Sequence, residues 1–265
     1  QSFVAASYVQ PLYTSNVTGF GTVRILEEIL KFNNKIKFYQ ASSSEMFGED
    51  NSKIKNENSE FKPISPYAVA KLYSYWMVRL YRNGYGLFAS NGILFNHESS
   101  IRGLEFVTRK ISNEIAKISL GLSKSIKLGN LSAKRDWGYA PEYVEGMWKM
   151  LQQKTSDDFV LATNETHSVG EFVDEACKVA GVSKSKIKTD KRFLRPMDVK
   201  NLRGDYKKAE TIIRGVLSKA ITSFGPTNGF FSFQFFKSGE RLLVNEVDIH
   251  PGDPESIALL LSLRS

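Results

Sequence analysis

Apolar positions recur at helical spacing between residues 14 and 33. Val23, Leu26 and Leu30 share one side, Val17 and Ile29 widen it, and Glu27 and Glu28 lie mostly away from it. That spacing predicts a helix. The period then changes to two: at residues 35 to 41, Ile36 and Phe38 alternate with lysines, which predicts a strand running into Ser42-Ser43-Ser44. Ser65-Pro66 reads as an N-cap with proline at the first helical position, opening a helix to about Tyr85 that carries Val69, Leu72, Trp76, Val78 and Leu80. Residues 87 to 95 read as a buried strand. Helices at about 105 to 119, 141 to 152 and 168 to 179, and a strand at 159 to 162, complete the series. Alternating strands and helices predict an α/β domain with a parallel sheet. In such sheets chemistry gathers beyond the carboxyl ends of the strands, and Ser42 to Glu45 and Asn96 to Glu98 both fall at such ends.

Beyond about residue 212 the alternation stops. Gly215, Gly225, Pro226 and Gly229 punctuate a looser stretch. Phe230 to Phe236 and Arg241 to Val247 are strand-like runs separated by Lys237-Ser238-Gly239-Glu240, a hairpin signal. The expected organisation is therefore a main domain over 1–210 and a divergent tail over 211–265.

Composition narrows the class. With 265 residues and 42% hydrophobic content the chain can bury a sizeable core, and 24% charged and 12% aromatic residues argue against disorder. No stretch approaches the ~20 apolar residues of a membrane span. The single cysteine, Cys177, excludes an intramolecular disulfide framework and suits a reducing compartment, so a cytoplasmic location is expected. A formal charge of +8 favours an anionic partner or is simply a solvated, lysine-rich surface. The lysines are scattered and not interleaved with aromatics, so neither nucleic acid nor a membrane is an expected partner. His97, His167 and His250 are too far apart in sequence to suggest a metal site.

Tyr67 and Lys71 form a Tyr-x-x-x-Lys pair, which on a helix shares one face a turn apart. An ammonium beside a phenol stabilises phenolate and lowers its pKa from ~10 toward the range where it acts as a base. The spacing alone also arises by chance in many helices. Upstream, Ser42-Ser43-Ser44-Glu45 supplies hydroxyls able to bind a substrate oxygen and a carboxylate able to act as a second acid/base, although serine clusters after strands also serve as plain turns. Serine at a strand end with tyrosine and lysine at the start of the next helix is much less common by accident.

This set resembles the extended short-chain dehydrogenase/reductases. Longer strings sharpen the resemblance: Tyr39 to Gly48, Ser65 to Tyr73, Asn91 to Ser99, Phe106 to Lys110, Leu128-Gly129-Asn130, Lys134 to Gly138 and Tyr143-Val144 are similar to segments of the GDP-mannose 4,6-dehydratase family, over roughly residues 1 to 210. The resemblance implies a partial Rossmann-like, doubly wound parallel sheet lacking its first strands, a C-terminal substrate-binding part, NADP as cofactor, GDP-mannose as substrate and a homo-oligomer, either dimer or tetramer. It implies a redox-neutral elimination. Tyr67, supported by Lys71, takes the C4 hydroxyl proton as hydride passes to NADP; Glu45 removes the C5 proton and assists loss of water from C6; hydride then returns to C6, giving GDP-4-dehydro-6-deoxymannose. Ser43 stands where the family usually has threonine and keeps the hydroxyl. By the same resemblance Tyr67, Lys71, Asn96 and His97 face the cofactor, and Ser2, Asn96, Lys110, Gly129, Arg135, Arg195 and Asp198 surround the nucleotide sugar, arginine and lysine matching a diphosphate through charge-assisted hydrogen bonds. Asp198 replaces the usual glutamate. From the residues alone, His97 reads as structural.

Two departures qualify the expectation. The chain opens at Gln1-Ser2-Phe3-Val4 with no glycine-rich strand–turn–helix to seat a cofactor diphosphate. About a quarter of the family pattern is therefore expected to be absent, with weak or no NADP binding by this chain alone, and Phe3 replaces the usual histidine. The end departs too: Gly229 to Ser265 resembles the last hairpin of an ATP-grasp ligase, closest to phosphoribosylamine–glycine ligases, with Glu246 at a magnesium-binding position and Asp248 beside it. A chance β-hairpin explains that stretch equally well. Two other readings stay open: a catalytically incomplete fragment or fusion product keeping a nucleotide-sugar pocket, and a related sugar-nucleotide epimerase or reductase. Glu45 separates the last from a dehydratase, because epimerisation needs no acid/base for elimination across C5 and C6.

Overall fold

The computed structural model describes residues 1–48 and 54–212. The expected hairpin at 230–247, with Glu246 and Asp248, lies outside the described residues. The helices are α1 (Val4–Val9), α2 (Pro11–Thr14), α3 (Gly21–Phe32), α4 (Pro66–Tyr85), α5 (Val107–Ser119), α6 (Ala140–Leu151) and α7 (Val169–Ala180). The strands are β1 (Phe38–Ser43), β2 (Ala89–Leu94), β3 (Asn96–Glu98), β4 (Ile126–Leu128), β5 (Lys134–Arg135), β6 (Trp137–Tyr139), β7 (Asp158–Leu161), β8 (His167–Ser168), β9 (Ile187–Thr189) and β10 (Asn201–Leu202).

The main sheet runs β1-β2-β7 with both pairings parallel, Phe38 opposite Ala89 and Ile93 opposite Val160. Side-chain alternation sends successive residues to opposite faces, and both faces are covered by helices. Phe38 and Ala89 pack with Leu26 and Ile29 of α3 and Val78 and Tyr81 of α4. Tyr39 and Leu94 pack with Tyr143, Met147 and Met150 of α6. Burial on both faces explains why β2 reads as an unbroken buried run. The predicted α/β class with a parallel, Rossmann-like sheet is therefore observed, and β1 pairs only with β2 among the described residues.

A second core lies beyond the sheet, where Ile111 and Ile115 of α5, Ile126 and Leu128 of β4 and Phe172, Val173 and Ala176 of α7 enclose Trp137. Short pairings knit this part together: β4 with β9, β3 with β6, and β5 between β8 and β10.

Local chemistry sets the element ends. The Ser65 side chain accepts from the Ala68 N–H, Pro66 follows it, and Gly86 ends α4 in the left-handed conformation (φ 69). Ser168 and Glu171 form a reciprocal capping box on α7. β1 starts three residues later than its alternating pattern suggests, because a turn occupies residues 33–36 and pairing begins where Phe38 N donates to Phe88 O at 2.8 Å. The predicted helix at 14–33 is a π-helical turn, Ser15–Phe20, running into α3.

Candidate active site

β1 ends at Ser43, whose side chain accepts from the Glu45 N–H at 3.2 Å and turns the chain into a 3₁₀ helix over Ser44–Phe47. That turn buries Glu45 beyond the strand's carboxyl end. Across from it, the first turn of α4 presents Tyr67, buried and lining the same cavity as Ser43. Burial pushes the Tyr67 phenol up to about 12, opposed by Ser43 and reinforced by the negative charge of Glu45.

Lys71 departs from the sequence expectation. Its Nζ donates to the Ala41 carbonyl at 2.6 Å and lies 5.7 Å from the centre of the Tyr67 ring. Burial brings the Lys71 ammonium down to about 8. Burial is the largest influence on each group, and the ammonium is turned toward the strand and not onto the phenol oxygen.

Opposite Glu45 stand two guanidiniums. Arg135 Nε is 3.9 Å and one terminal nitrogen of Arg195 3.8 Å from Glu45 Oε1. Both also face Asp198 Oδ1, at 2.9 and 3.6 Å respectively. Arg135 is delivered by β5 and further held by donating to Val199 O at 2.6 Å. Its neighbour Asp136 is fully buried, and its carboxylate accepts from Thr163 N and Oγ1, Asn164 N and Gly204 N at 2.8–3.2 Å. These bonds oppose the upward push of burial on the Asp136 carboxyl.

Asn96 and His97 open β3, one residue beyond the end of β2. His97 Nδ1 lies 2.8 Å from Phe95 O, which assigns the proton to Nδ1 and leaves Nε2 an acceptor. The ring stacks on Tyr143 at 4.8 Å, and burial lowers its pKa, so the imidazole is neutral. Lys110 Nζ sits 3.7 Å over the Phe193 ring. Gly129 admits no side chain, since a Cβ there would stand 2.5 Å from Phe193 O.

One cavity of about 660 Å³ is lined by Ser2, Ser43, Glu45, Tyr67, Lys71, Asn96, His97, Lys110, Gly129, Arg135, Arg195 and Asp198, so the residues assigned from the sequence to catalysis, cofactor and nucleotide sugar meet in one place. Sequence reading missed Tyr8, Arg102 and Phe193, which share the lining. Arg102 pairs with Glu98 at 3.1 Å and lies 3.5 Å over the Phe106 ring. Its signal was the i, i+4 Glu98–Arg102 spacing; Tyr8 and Phe193 carry no sequence pattern. Among the described residues no group of acidic, histidine or cysteine side chains is placed to hold a metal ion. No described helix is long and apolar enough to cross a membrane.

A parallel sheet covered on both faces, with Ser, Tyr and Lys converging beyond its strand ends, defines a protein of the short-chain dehydrogenase/reductase class. The family model described as GDP-mannose 4,6 dehydratase matches residues 1–214. GDP-mannose 4,6 dehydratase 1 of Arabidopsis thaliana is 47% identical over 218 residues, 80% of this chain and 60% of that protein. The Homo sapiens enzyme is 46% identical over 232 residues, covering 79% and 62%. The chain belongs to the GDP-mannose 4,6-dehydratase family. It spans about three fifths of the length of these relatives. The fold is similar to RMD from Pseudomonas aeruginosa complexed with NADPH (TM-score 0.72, 18% identity, 80% of this chain and 71% of that one). It is equally similar to Thermus thermophilus UDP-glucose 4-epimerase in complex with NAD (TM-score 0.72, 18% identity, 100% and 76%).

Proposed function

We propose that this site performs the dehydration of GDP-mannose to GDP-4-dehydro-6-deoxymannose. The observation that carries the reading is the convergence of Tyr67, Ser43 and Glu45 in one cavity with Arg135 and Arg195. Tyr67 takes the proton of the C4 hydroxyl while Ser43 hydrogen-bonds the same oxygen. Glu45 takes the proton from C5, made acidic by the neighbouring ketone, and assists departure of the C6 hydroxyl as water. Arg135, Arg195 and Lys110 hold the diphosphate, Asp198 orients the two arginines, and Ser2, Asn96 and Gly129 shape the rest of the nucleotide-sugar site.

NADP is the cofactor this reading needs; when bound it stores the hydride from C4 and returns it to C6. The residues fit its nicotinamide end. An ammonium has three donors, and Lys71 uses one on Ala41, leaving two for ribose hydroxyls. Tyr67, Asn96 and the neutral His97 stand alongside in the same cavity. Lys71, holding ribose hydroxyls with those two donors, would set a positive charge one helical turn from Tyr67 and favour its phenolate.

Glu45 favours a dehydratase over an epimerase, which has no use for a buried carboxylate at that position. The remaining alternative is a chain that keeps the nucleotide-sugar pocket without turnover. Self-association is also proposed. Val69, Tyr73, Trp76 and Leu80 of α4 are each 40% or more exposed at helical spacing, and Phe20 packs edge-on against Tyr73 to extend the apolar face.

The test is turnover of GDP-mannose with added NADP, read by mass as loss of one water, with Tyr67→Phe as control. Product from the parent and none from Tyr67→Phe is expected. Binding of GDP-mannose without product would favour the pocket-only reading, and absence of binding would overturn both.

A further inference from the structure

Arg195 and Asp198 belong to an irregular stretch with little apolar anchorage: Leu194 and Met197 are 51% and 46% exposed, and only Val199 at its far end is buried. Arg135 holds it from one side, through Asp198 and Val199 O. From the other side Tyr8, on the short helix α1, reaches Met197 O at 3.2 Å and Ile64 O at 3.0 Å with one hydroxyl. Ile64 immediately precedes the Ser65 cap of α4. One hydroxyl thus spans the segment that presents Arg195 and the segment that presents Tyr67, and it stands in the fields of Arg195, Glu45 and Asp198.

We infer that Tyr8 is a positioning residue of this site, clasping the loop that carries Arg195 and Asp198 to the turn ahead of α4. The inference rests on the proposed nucleotide-sugar reading. The two holds on the loop differ in kind. Arg135 is a cation, and an arriving diphosphate competes with Asp198 for it. The Tyr8 hydroxyl is already engaged by two main-chain carbonyls, and an arriving anion competes for a cation such as Arg135 more strongly than for this uncharged donor. Tyr8 would then keep Arg195 at a set distance from Glu45 and Tyr67 when the Arg135–Asp198 contact loosens.

The test is Tyr8→Phe, which keeps the ring and removes the clasp. Two quantities are measured: hydrogen exchange of the peptide spanning 194–199 without ligand, and the Kd for GDP-mannose by calorimetry. Exchange in that peptide is expected to quicken about fivefold while α4 amides are unchanged, and Kd to rise about fivefold, the scale of one lost hydrogen bond. Where turnover is measurable, KM rises by the same factor and kcat stays within about twofold. Unchanged exchange would overturn the clasp. Faster exchange with unchanged Kd, or a fall in kcat without a rise in KM, would overturn the positioning role. Failure of the unsubstituted protein to bind GDP-mannose would count against the proposed function alone, and the exchange result would still decide the clasp.

Discussion

Lys71 Nζ is bonded to the main-chain oxygen of Ala41 at 2.6 Å, and not to the Tyr67 phenol one turn before it on the same helix. The pair therefore shares a helix face without forming the expected contact. A buried phenol and a half-buried ammonium, each held toward its neutral form, face the same cavity.

This arrangement has a pH signature. The folded-state pKa of Lys71 is lowered from 10.5 to about 8. Between those values the unfolded chain binds the extra proton, so stability rises with pH through the interval and is level below it. For Tyr67, raised from 10.0 to about 12, the folded state keeps its proton where the unfolded state loses it, so stability falls with pH across that range. Thermal melts of the parent and Lys71→Met from pH 7 to pH 11 check this: the rise above pH 8 should vanish in the variant.

Asp158 ties the sheet to α4. Its carboxylate accepts from Tyr75 at 3.0 Å, Arg82 at 2.8 Å and Asn91 at 2.9 Å, all largely buried. Asp158→Ala strands these donors, so a loss of ~3–5 kcal/mol is expected, read as a fall of roughly 10 °C in Tm. A fall under about 2 °C would show that water replaces the carboxylate.

Gly129 is expected to be intolerant of any side chain for a local reason. A Cβ would press on Phe193 O at 2.5 Å, a backbone atom that must move, and Arg195 is two residues further on. Gly129→Ala should weaken GDP-mannose binding about tenfold or more (~1.4 kcal/mol) with a modest loss of stability. Calorimetry and a melt on the same sample separate the two effects.

The Ser65 cap is a simpler case. Ser65→Ala removes the acceptor for Ala68 N, 3.1 Å away, and should cost ~1 kcal/mol, a drop of about 2–4 °C in Tm. Ser65→Asp should restore most of it, because aspartate also caps and favours the positive end of α4.

The sequence by itself determined the parts governed by neighbours along the chain. α4 was legible from Ser65-Pro66 to the end of its apolar pattern, since a cap, a proline and a 3.6-residue period act within a few residues. The placement of Ser43 and Glu45 at a strand end followed from the alternation before them, although β1 itself was displaced because its start depends on pairing with β2. The short strands from β3 onward, apart from β7, were illegible, being two or three residues long and held by distant partners. Only the tertiary structure decided that Arg135 and Arg195 both face Glu45, that Lys71 is turned to Ala41, and that Tyr8 spans Ile64 and Met197. Those contacts join residues far apart in the chain, and burial sets their energies, so no local spacing encodes them.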